Sequence, residues 1–118
     1  MIETATDNDY SAMFGTMPPQ EWFGLVAKTQ WLILGIGAVY RGTDGRYWMM
    51  FTRSPGVRMT KTAHMAGKRL VQQAKDKGLE VRALADDRIS GAALWLRKLG
   101  FKQSTETIEG YPVWTLSP

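Results

Sequence analysis

The chain has 118 residues, of which 44% are hydrophobic and 11% aromatic, and it carries a net charge of +4. This length and apolar content predict one folded domain with a single core, and they exclude a disordered chain. Because the chain has no cysteine and only one histidine, His64, disulfides are excluded and we expect no bound metal.

The charge is distributed unevenly along the chain. The residues before Lys28 include four acids and no lysine or arginine, so all 15 basic residues lie at or after that position. Two interpretations are open: the later part binds an anionic partner, or the acidic start docks on the basic remainder.

The start of the chain lacks the charged residues and apolar run of a signal peptide, and no apolar run reaches transmembrane length. We therefore expect no membrane partner. The expected location is the cytoplasm or, alternatively, the interior of a virion.

The first 30 residues carry weak signals. Residues 1–10 are polar and predict a short strand or nothing regular. The following Pro-Pro-Gln-Glu is typical of a helix start, with proline in the first turn and an acid near the positive end. Since Trp22, Leu25 and Val26 have helical spacing, we predict a short helix over residues 18–29.

A hairpin is predicted next. Residues 31–40 form a nearly continuous apolar run, which favours a strand covered on both faces. An Asp-Gly pair at 44–45 is a strong hairpin signal, because both residues tolerate positive φ. Residues 31–40 should therefore pair antiparallel with a strand over residues 46–52.

A long helix and a further strand follow. Residues 60–77 place small and apolar side chains on one stripe, with Thr60 as a fair N-cap and Gly78 as a C-terminal stop. Residues 79–84 alternate apolar and polar, as a strand does. Because a helix joins them, the strands over 46–52 and 79–84 should be parallel neighbours.

The basic loop over residues 53–61 lies where these two strands are expected to splay apart. Together with the amino end of the long helix it would form a mouth. A helix amino terminus has unpaired N–H groups and a partial positive charge, so the mouth suits an anionic group such as a pyrophosphate.

The chain is predicted to close with a capped helix and a hairpin. Ser90 is placed to cap the helix, Gly100 fits a left-handed C-terminal position, and Phe101 should fold back onto Leu96 as a buried contact. Turn residues at 109–112 then separate two short strands.

The order of these elements resembles that of the GNAT (Gcn5-related N-acetyltransferase) family over residues 31–116. The most specific segment is Ala92-Ala93-Leu94-Trp95-Leu96-Arg97-Lys98-Leu99-Gly100-Phe101, which resembles the family signature A-x-x-x-Y-x-K-L-G-F. Within the family the chain looks closest to divergent GNAT-like proteins of tailed phages, including the internal virion protein A type.

The resemblance implies an α/β fold with a mixed, mostly antiparallel sheet, one parallel splayed pair and flanking helices. It implies a single domain over residues 1–118, with a variable region over 1–30 and the sheet and core helices over 31–116. The implied activity is transfer of an acetyl group from acetyl-CoA to an amine.

The family binds acetyl-CoA with an Arg/Gln-x-x-Gly-x-Gly/Ala loop, which aligns here with residues 58–63. Lys61 stands where the first glycine belongs, so the loop is degenerate. Leu96 stands where many members have a tyrosine acid, and catalytic residues stay unassigned. The resemblance places the cofactor on seven residues: Phe51, Thr52, Arg53, Arg58, Lys61, Thr62 and Ala63.

Each candidate also has a purely structural interpretation. The basic residues at the loop are equally explained as a solvated face. His64 is a candidate base, but a lone histidine is more often a surface or half-buried residue. Asp86 and Asp87 are candidates to activate an amine, but acids just ahead of a helix more often stabilise its amino end. Trp22, Trp31, Trp48 and Trp95 are expected in the core.

Two functional classes stay open from the sequence. One is an acyl-CoA-dependent N-acyltransferase with an amine acceptor. The other is a non-catalytic GNAT-fold protein that binds a virion or host protein. Nucleic acid is not expected as a partner, because aromatic and basic residues are not interleaved on one surface.

Overall fold

The computed structural model describes residues 1–58, 60–85 and 91–118, and in these residues it contains a seven-stranded sheet and three helices. The elements are β1 (Ile2–Thr4), α1 (Asp7–Phe14), β2 (Trp22–Lys28), β3 (Ile33–Arg41), β4 (Tyr47–Arg53), α2 (Thr60–Asp76), β5 (Val81–Leu84), α3 (Ala92–Lys98), β6 (Lys102–Ile108) and β7 (Tyr111–Leu116).

The strands lie in the order β1-β2-β3-β4-β5-β7-β6, and β4 with β5 is the parallel pair of this sheet. This arrangement confirms the predicted mixed sheet with one parallel pair. The two strands are parallel because α2 crosses one face of the sheet between them, so that β5 starts at the same edge of the sheet as β4.

The hairpin of β3 and β4 confirms the prediction from Asp-Gly. The ladder runs from Gly35↔Arg53 to Arg41↔Tyr47, and the turn is closed by the Gly42 N–H donating to the Arg46 carbonyl at 2.8 Å. Five consecutive β3 residues are buried, because α2 contacts one face of the strand and α1 the other. This burial on both faces explains why the sequence of β3 is a continuous apolar run.

The predicted helix over residues 18–29 is wrong, because this segment contains strand β2. Residues Trp22 to Ala27 pair in register with β3, and four consecutive β2 residues are buried. The strand packs so closely that a Cβ on Gly24 would collide with the carbonyl oxygen of Gly37. Apolar residues at 22, 25 and 26 fit a helix face, but they fit a strand buried on both faces equally well.

Helix α1 was missed in a segment predicted to be a strand or irregular. Its N-terminus is a capping box in which the Asp9 N–H donates to the Thr6 hydroxyl at 3.2 Å and the Thr6 N–H donates to the Asp9 carboxylate at 2.9 Å. Thr-x-x-Asp is a variant of the usual Ser/Thr-x-x-Glu signature, so the signal was present in the sequence.

Helix α2 confirms the predicted long helix and supplies one side of the main core. Its Leu70, Val71 and Ala74 are buried in one cluster with Val39 of β3 and Met49 of β4. Strand β5 begins at Val81 rather than at 79, because the Leu79 N–H still donates to the Ala74 carbonyl at the end of the helix.

The closing segment follows the sequence prediction. Gly100 has φ 101°, which favours glycine, and the Phe101 N–H donates to the Leu96 carbonyl at 3.0 Å. Phe101 is 2% exposed. The final turn consists of Glu109 and Gly110, so β7 starts two residues earlier than predicted. The predicted Ser90 cap lies outside the described residues.

Asp9 anchors α1 to the sheet and makes stability depend on pH. It is 6% exposed, and its Oδ1 lies 3.0 Å from the Lys28 Nζ of β2. Burial raises the pKa of Asp9, but hydrogen bonds from Thr6 and Lys28 outweigh burial, so the pKa lies below its usual 3.8.

Because the folded-state pKa of Asp9 is lowered, its stabilising contribution is present above about pH 4 and is lost as the pH falls through that folded pKa. We expect Asp9→Asn to cost about 1 kcal/mol at pH 7, as the loss of a charge-assisted hydrogen bond does, and the difference from wild type to shrink as the pH falls below 3.8 and through the folded-state pKa. Asp7→Asn is the matched control, because Asp7 lies in the same helical turn but is exposed. Urea unfolding between pH 2 and pH 7 measures both; an Asp9→Asn difference that is constant with pH would contradict this account.

Candidate functional site

Strands β4 and β5 diverge soon after they meet. Their parallel pairing consists of Tyr47↔Val81 and Trp48↔Arg82, although β4 continues to Arg53. Strand β5 stays paired with β7 on its other side as far as Leu84. The edge of β4 beyond Trp48 therefore has no strand partner on the β5 side within the described residues. Its free N–H and C=O groups can bind an extended ligand chain.

The divergence of β4 and β5 leaves a slot between the two strands. The amino end of α2 lies at the open end of this slot. Residues 54–57 make a turn closed by the Val57 N–H donating to the Ser54 carbonyl at 3.2 Å, and the Ser54 N–H is held by the Leu34 carbonyl at 2.9 Å. Only residues 54–59 separate β4 from α2, so the helix begins close to the end of β4. The unpaired N–H groups of a helix start suit a phosphate at such a position.

All seven predicted cofactor residues lie at this end of the molecule. Arg53, Arg58 and Lys61 are exposed, whereas Phe51, Thr52, Thr62 and Ala63 are partly buried. The Phe51 ring packs against the core rather than projecting freely toward a ligand, because its centroid lies 4.4 Å from that of the Trp95 ring.

The opening between the end of β4 and the start of α2 carries three exposed basic residues, Arg53, Arg58 and Lys61. The salt bridges of the described residues join Lys28 with Asp9, Arg41 with Glu21, Arg46 with Glu106 and Arg82 with Glu80. Arg53, Arg58 and Lys61 belong to none of them. Exposed cations that form no salt bridge with the described carboxylates can attract an anion.

Two buried donors flank the point of divergence. Within the part of the chain that the structure describes, Arg82 Nε and Trp114 Nε1 have no hydrogen-bond partner. Arg82 is the last β5 residue paired with β4, and Trp114 pairs with the next residue, Ala83. Buried donors without a partner are uncommon, because each one costs free energy of folding. The two donors therefore mark the part of the sheet where β4 and β5 separate as locally strained in its hydrogen bonding.

The other predicted residues are placed differently. Leu96 is 4% exposed and packs in the core. Its aliphatic side chain has no acidic proton to supply. His64 lies in α2 and is partly buried. Asp86 and Asp87 lie outside the described residues. Trp31 is 83% exposed in the loop before β3, which corrects its expected core position.

A cavity on the other face of the sheet was not predicted. It is an open depression of about 530 Å³, lined by residues of α1, the α1–β2 connection, β3, the β3–β4 turn, β4, β5 and β6. Trp48 and Leu84 lie on β4 and β5 at the divergence and both line the cavity. Because the depression takes residues from seven separate segments, no local sequence pattern predicts it.

Comparison with known proteins supports the fold. No family model and no curated protein matches the sequence. The structure is similar to that of the ribosomal-protein-S18-alanine N-acetyltransferase of Escherichia coli, with a TM-score of 0.73 and 10% identity over 99% of this chain and 92% of that one.

Two further solved structures agree. An N-acetyltransferase from Staphylococcus aureus has a TM-score of 0.74 at 16% identity, covering 99% of this chain and 97% of the other. A Bacillus subtilis acetyltransferase in complex with CoA has a TM-score of 0.70 at 9% identity, with the same coverage. The chain therefore has the GNAT acyl-CoA N-acyltransferase fold.

Among the residues that the structure describes, no helix is both long and apolar enough to cross a bilayer. The same residues contain no group of three or more His, Cys, Asp or Glu placed to hold a metal ion.

Proposed function

We propose that this protein is an acyl-CoA-dependent N-acyltransferase that transfers an acetyl group from acetyl-CoA to an amine. The observation that carries the proposal is the divergence of β4 from β5 beside the start of α2. That geometry leaves an unpaired strand edge for an extended chain and a cationic opening for phosphates, both at one end of the sheet.

The described residues fit such a cofactor. Arg58 and Lys61 are exposed and have no carboxylate partner in the described salt bridges, so both are free to contact phosphate oxygens. The exposed Lys61 side chain supplies charge in place of the close backbone approach that a glycine would permit. Acetyl-CoA, when bound, supplies the activated acyl group as a thioester.

The contribution of the chain to the reaction is positioning. Leu96 offers no acid, and no base is assigned, so the amine must reach the site in its neutral form, and the one proton it loses as the C–N bond forms goes to solvent. Acetyl-CoA would lie along the β4 edge with its phosphates at the basic opening. The amine would approach from the depression on the other face of the sheet. Orientation of this kind supplies a large part of the rate enhancement in bimolecular transfers.

A second candidate is a non-catalytic GNAT-fold protein of a phage, located in the virion or bound to a host protein. Two observations favour it: Lys61 occupies the place of a loop glycine, and the buried Leu96 occupies the place of a catalytic tyrosine. In this case the location would be the virion interior rather than the cytoplasm, and the basic opening would be a solvated surface.

The substitution Lys61→Gly separates the two candidates. If the loop binds the pyrophosphate of CoA, restoring a glycine permits closer N–H contacts, and affinity should be preserved or improved. Isothermal titration of wild type and Lys61→Gly with CoA measures this. If neither protein binds CoA at about millimolar concentration, which corresponds to about −4 kcal/mol, the acyltransferase proposal falls and the structural candidate replaces it.

A further inference from the structure

The turn between β2 and β3 carries two large apolar side chains that the fold does not bury. Trp31 is 83% exposed and Leu32 is 62% exposed, and neither lies in the core cluster. The other four tryptophans of the chain are buried or partly buried. Because turns favour small and polar residues, the need to form a turn does not explain these two side chains.

The backbone of this turn is held without help from the two side chains. The Thr29 hydroxyl accepts hydrogen bonds from the Trp31 N–H at 3.3 Å and from the Leu32 N–H at 3.0 Å, and the Thr29 N–H donates to the Leu32 carbonyl at 2.8 Å. The last pair of the β2–β3 ladder is Lys28↔Ile33. Residues 29–32 therefore project beyond the paired strands and present Trp31 and Leu32 to solvent as an apolar tip.

The basic loop after β4 runs beside this apolar tip. The Ser54 N–H donates to the Leu34 carbonyl at 2.9 Å, and the Ser54 hydroxyl donates to the Ile33 carbonyl at 2.7 Å. These bonds tie the loop to the part of β3 that directly follows the tip. Exposed arginines at positions 53 and 58 of the loop therefore lie at the same end of the sheet as the tip.

The charge around the apolar tip is positive. Arg53 and Arg58 belong to no salt bridge of the described residues. Residues 45–75, which include the loop and most of α2, contain seven lysines and arginines and no acid. Of the acids on the other side of the tip, Asp9 is paired with a lysine at 3.0 Å, and Glu3 lies on β1. An exposed end of this kind attracts an anionic surface.

The shape of the tip favours a lipid surface over a protein partner. A stable protein interface buries roughly 800 Å² on each partner, and two side chains on a projecting turn are too few to do so. A bilayer interface, in contrast, accepts a single projecting wedge. Tryptophan is enriched at membrane–water interfaces, and basic residues next to it are attracted by anionic headgroups.

We propose that Trp31 and Leu32 insert into the interface of an anionic lipid bilayer, and that the exposed arginines of the neighbouring loop contact its headgroup phosphates. The inference goes beyond the proposed acyltransferase function and does not depend on it. The sequence expectation of no membrane partner was drawn from the lack of a spanning segment, and attachment to a membrane surface needs no such segment.

The test mixes the full chain with vesicles of equal parts phosphatidylcholine and phosphatidylglycerol, or of phosphatidylcholine alone. We expect the protein to sediment with the mixed vesicles and to bind the neutral vesicles at least about tenfold more weakly, because each basic residue near an anionic surface contributes to binding. Binding should weaken as salt is raised. Tryptophan emission should shift to shorter wavelength with the mixed vesicles, because Trp31 leaves water.

The substitution Trp31→Ser should weaken binding to the mixed vesicles by about tenfold or more, as the loss of a buried aromatic side chain does. It should also remove the emission shift and leave thermal stability unchanged, since the side chain is exposed. Trp31→Phe should keep most of the binding. Met17→Ser is the matched control: Met17 is also 83% exposed, but it lies beside the β3–β4 turn at the other end of the sheet.

Three results would overturn the inference. The first is equal binding of wild type and Trp31→Ser to the mixed vesicles, which would assign any binding to the cations alone. The second is equal binding of wild type to the mixed and the neutral vesicles. The third is self-association that Trp31→Ser abolishes, without vesicle binding, which would make the tip a contact between copies of this chain. Sedimentation velocity without lipid measures self-association.

Discussion

Replacing Phe101 with alanine is expected to lower the free energy of unfolding by about 3 to 5 kcal/mol, which is a large part of the stability of a domain of this size. The Phe101 side chain is 2% exposed and lies in the core cluster with Leu96 and Leu116. Its loss would leave a cavity between α3 and the sheet. Thermal and urea unfolding of the purified variant measure the change.

Leu94→Ala is the matched control for Phe101→Ala. Leu94 lies in the same closing segment, but it is 53% exposed, so its truncation should change stability by less than about 0.5 kcal/mol. A loss of less than about 1 kcal/mol for Phe101→Ala would contradict both the cap contact with Leu96 and the placement of Phe101 in the core.

Arg58→Ala is expected to weaken CoA binding by about ten- to a hundredfold, as removal of one charge-assisted hydrogen bond does. Arg58 is exposed just ahead of α2 and belongs to no salt bridge of the described residues. Because phosphate contacts are largely ionic, wild-type affinity should also fall steeply as salt is raised. Calorimetric titration at two salt concentrations measures both effects.

Lys75→Ala controls for the change in net charge. Lys75 lies in the last turn of α2, roughly 20 Å along the helix from Lys61. Its removal should leave CoA affinity within about twofold of wild type, because charges beyond a Debye length of about 10 Å are largely screened. Equal losses from Arg58→Ala and Lys75→Ala would show a general charge effect rather than a site.

The parts of the fold that local signals specify were predictable. Asp-Gly at 44–45 determined a tight turn, Gly78 ended α2, and Gly100 with Phe101 formed the cap, since each depends on a few adjacent residues. The segment over 18–29 failed for the opposite reason. A strand buried on both faces has no alternation, and only its long-range ladder with β3 distinguishes it from a helix.

The candidate site was predictable to a similar extent. Its proposed cofactor residues follow one another along β4, the loop and the start of α2, so a family motif could be aligned with them. The cavity around Asp44 and Trp48 could not be found this way, because its walls join α1 to β6 across the sheet. The exposed Trp31 shows the related limit that an apolar residue at the end of a run need not be buried.

The most direct test of a cofactor site is a titration of the isotope-labelled protein with acetyl-CoA, followed by backbone amide chemical shifts. If the opening between β4 and α2 binds the pyrophosphate, saturable shifts should be confined to residues 51–65. The absence of saturable shifts at millimolar acetyl-CoA, or shifts that cluster elsewhere in the chain, would contradict the account.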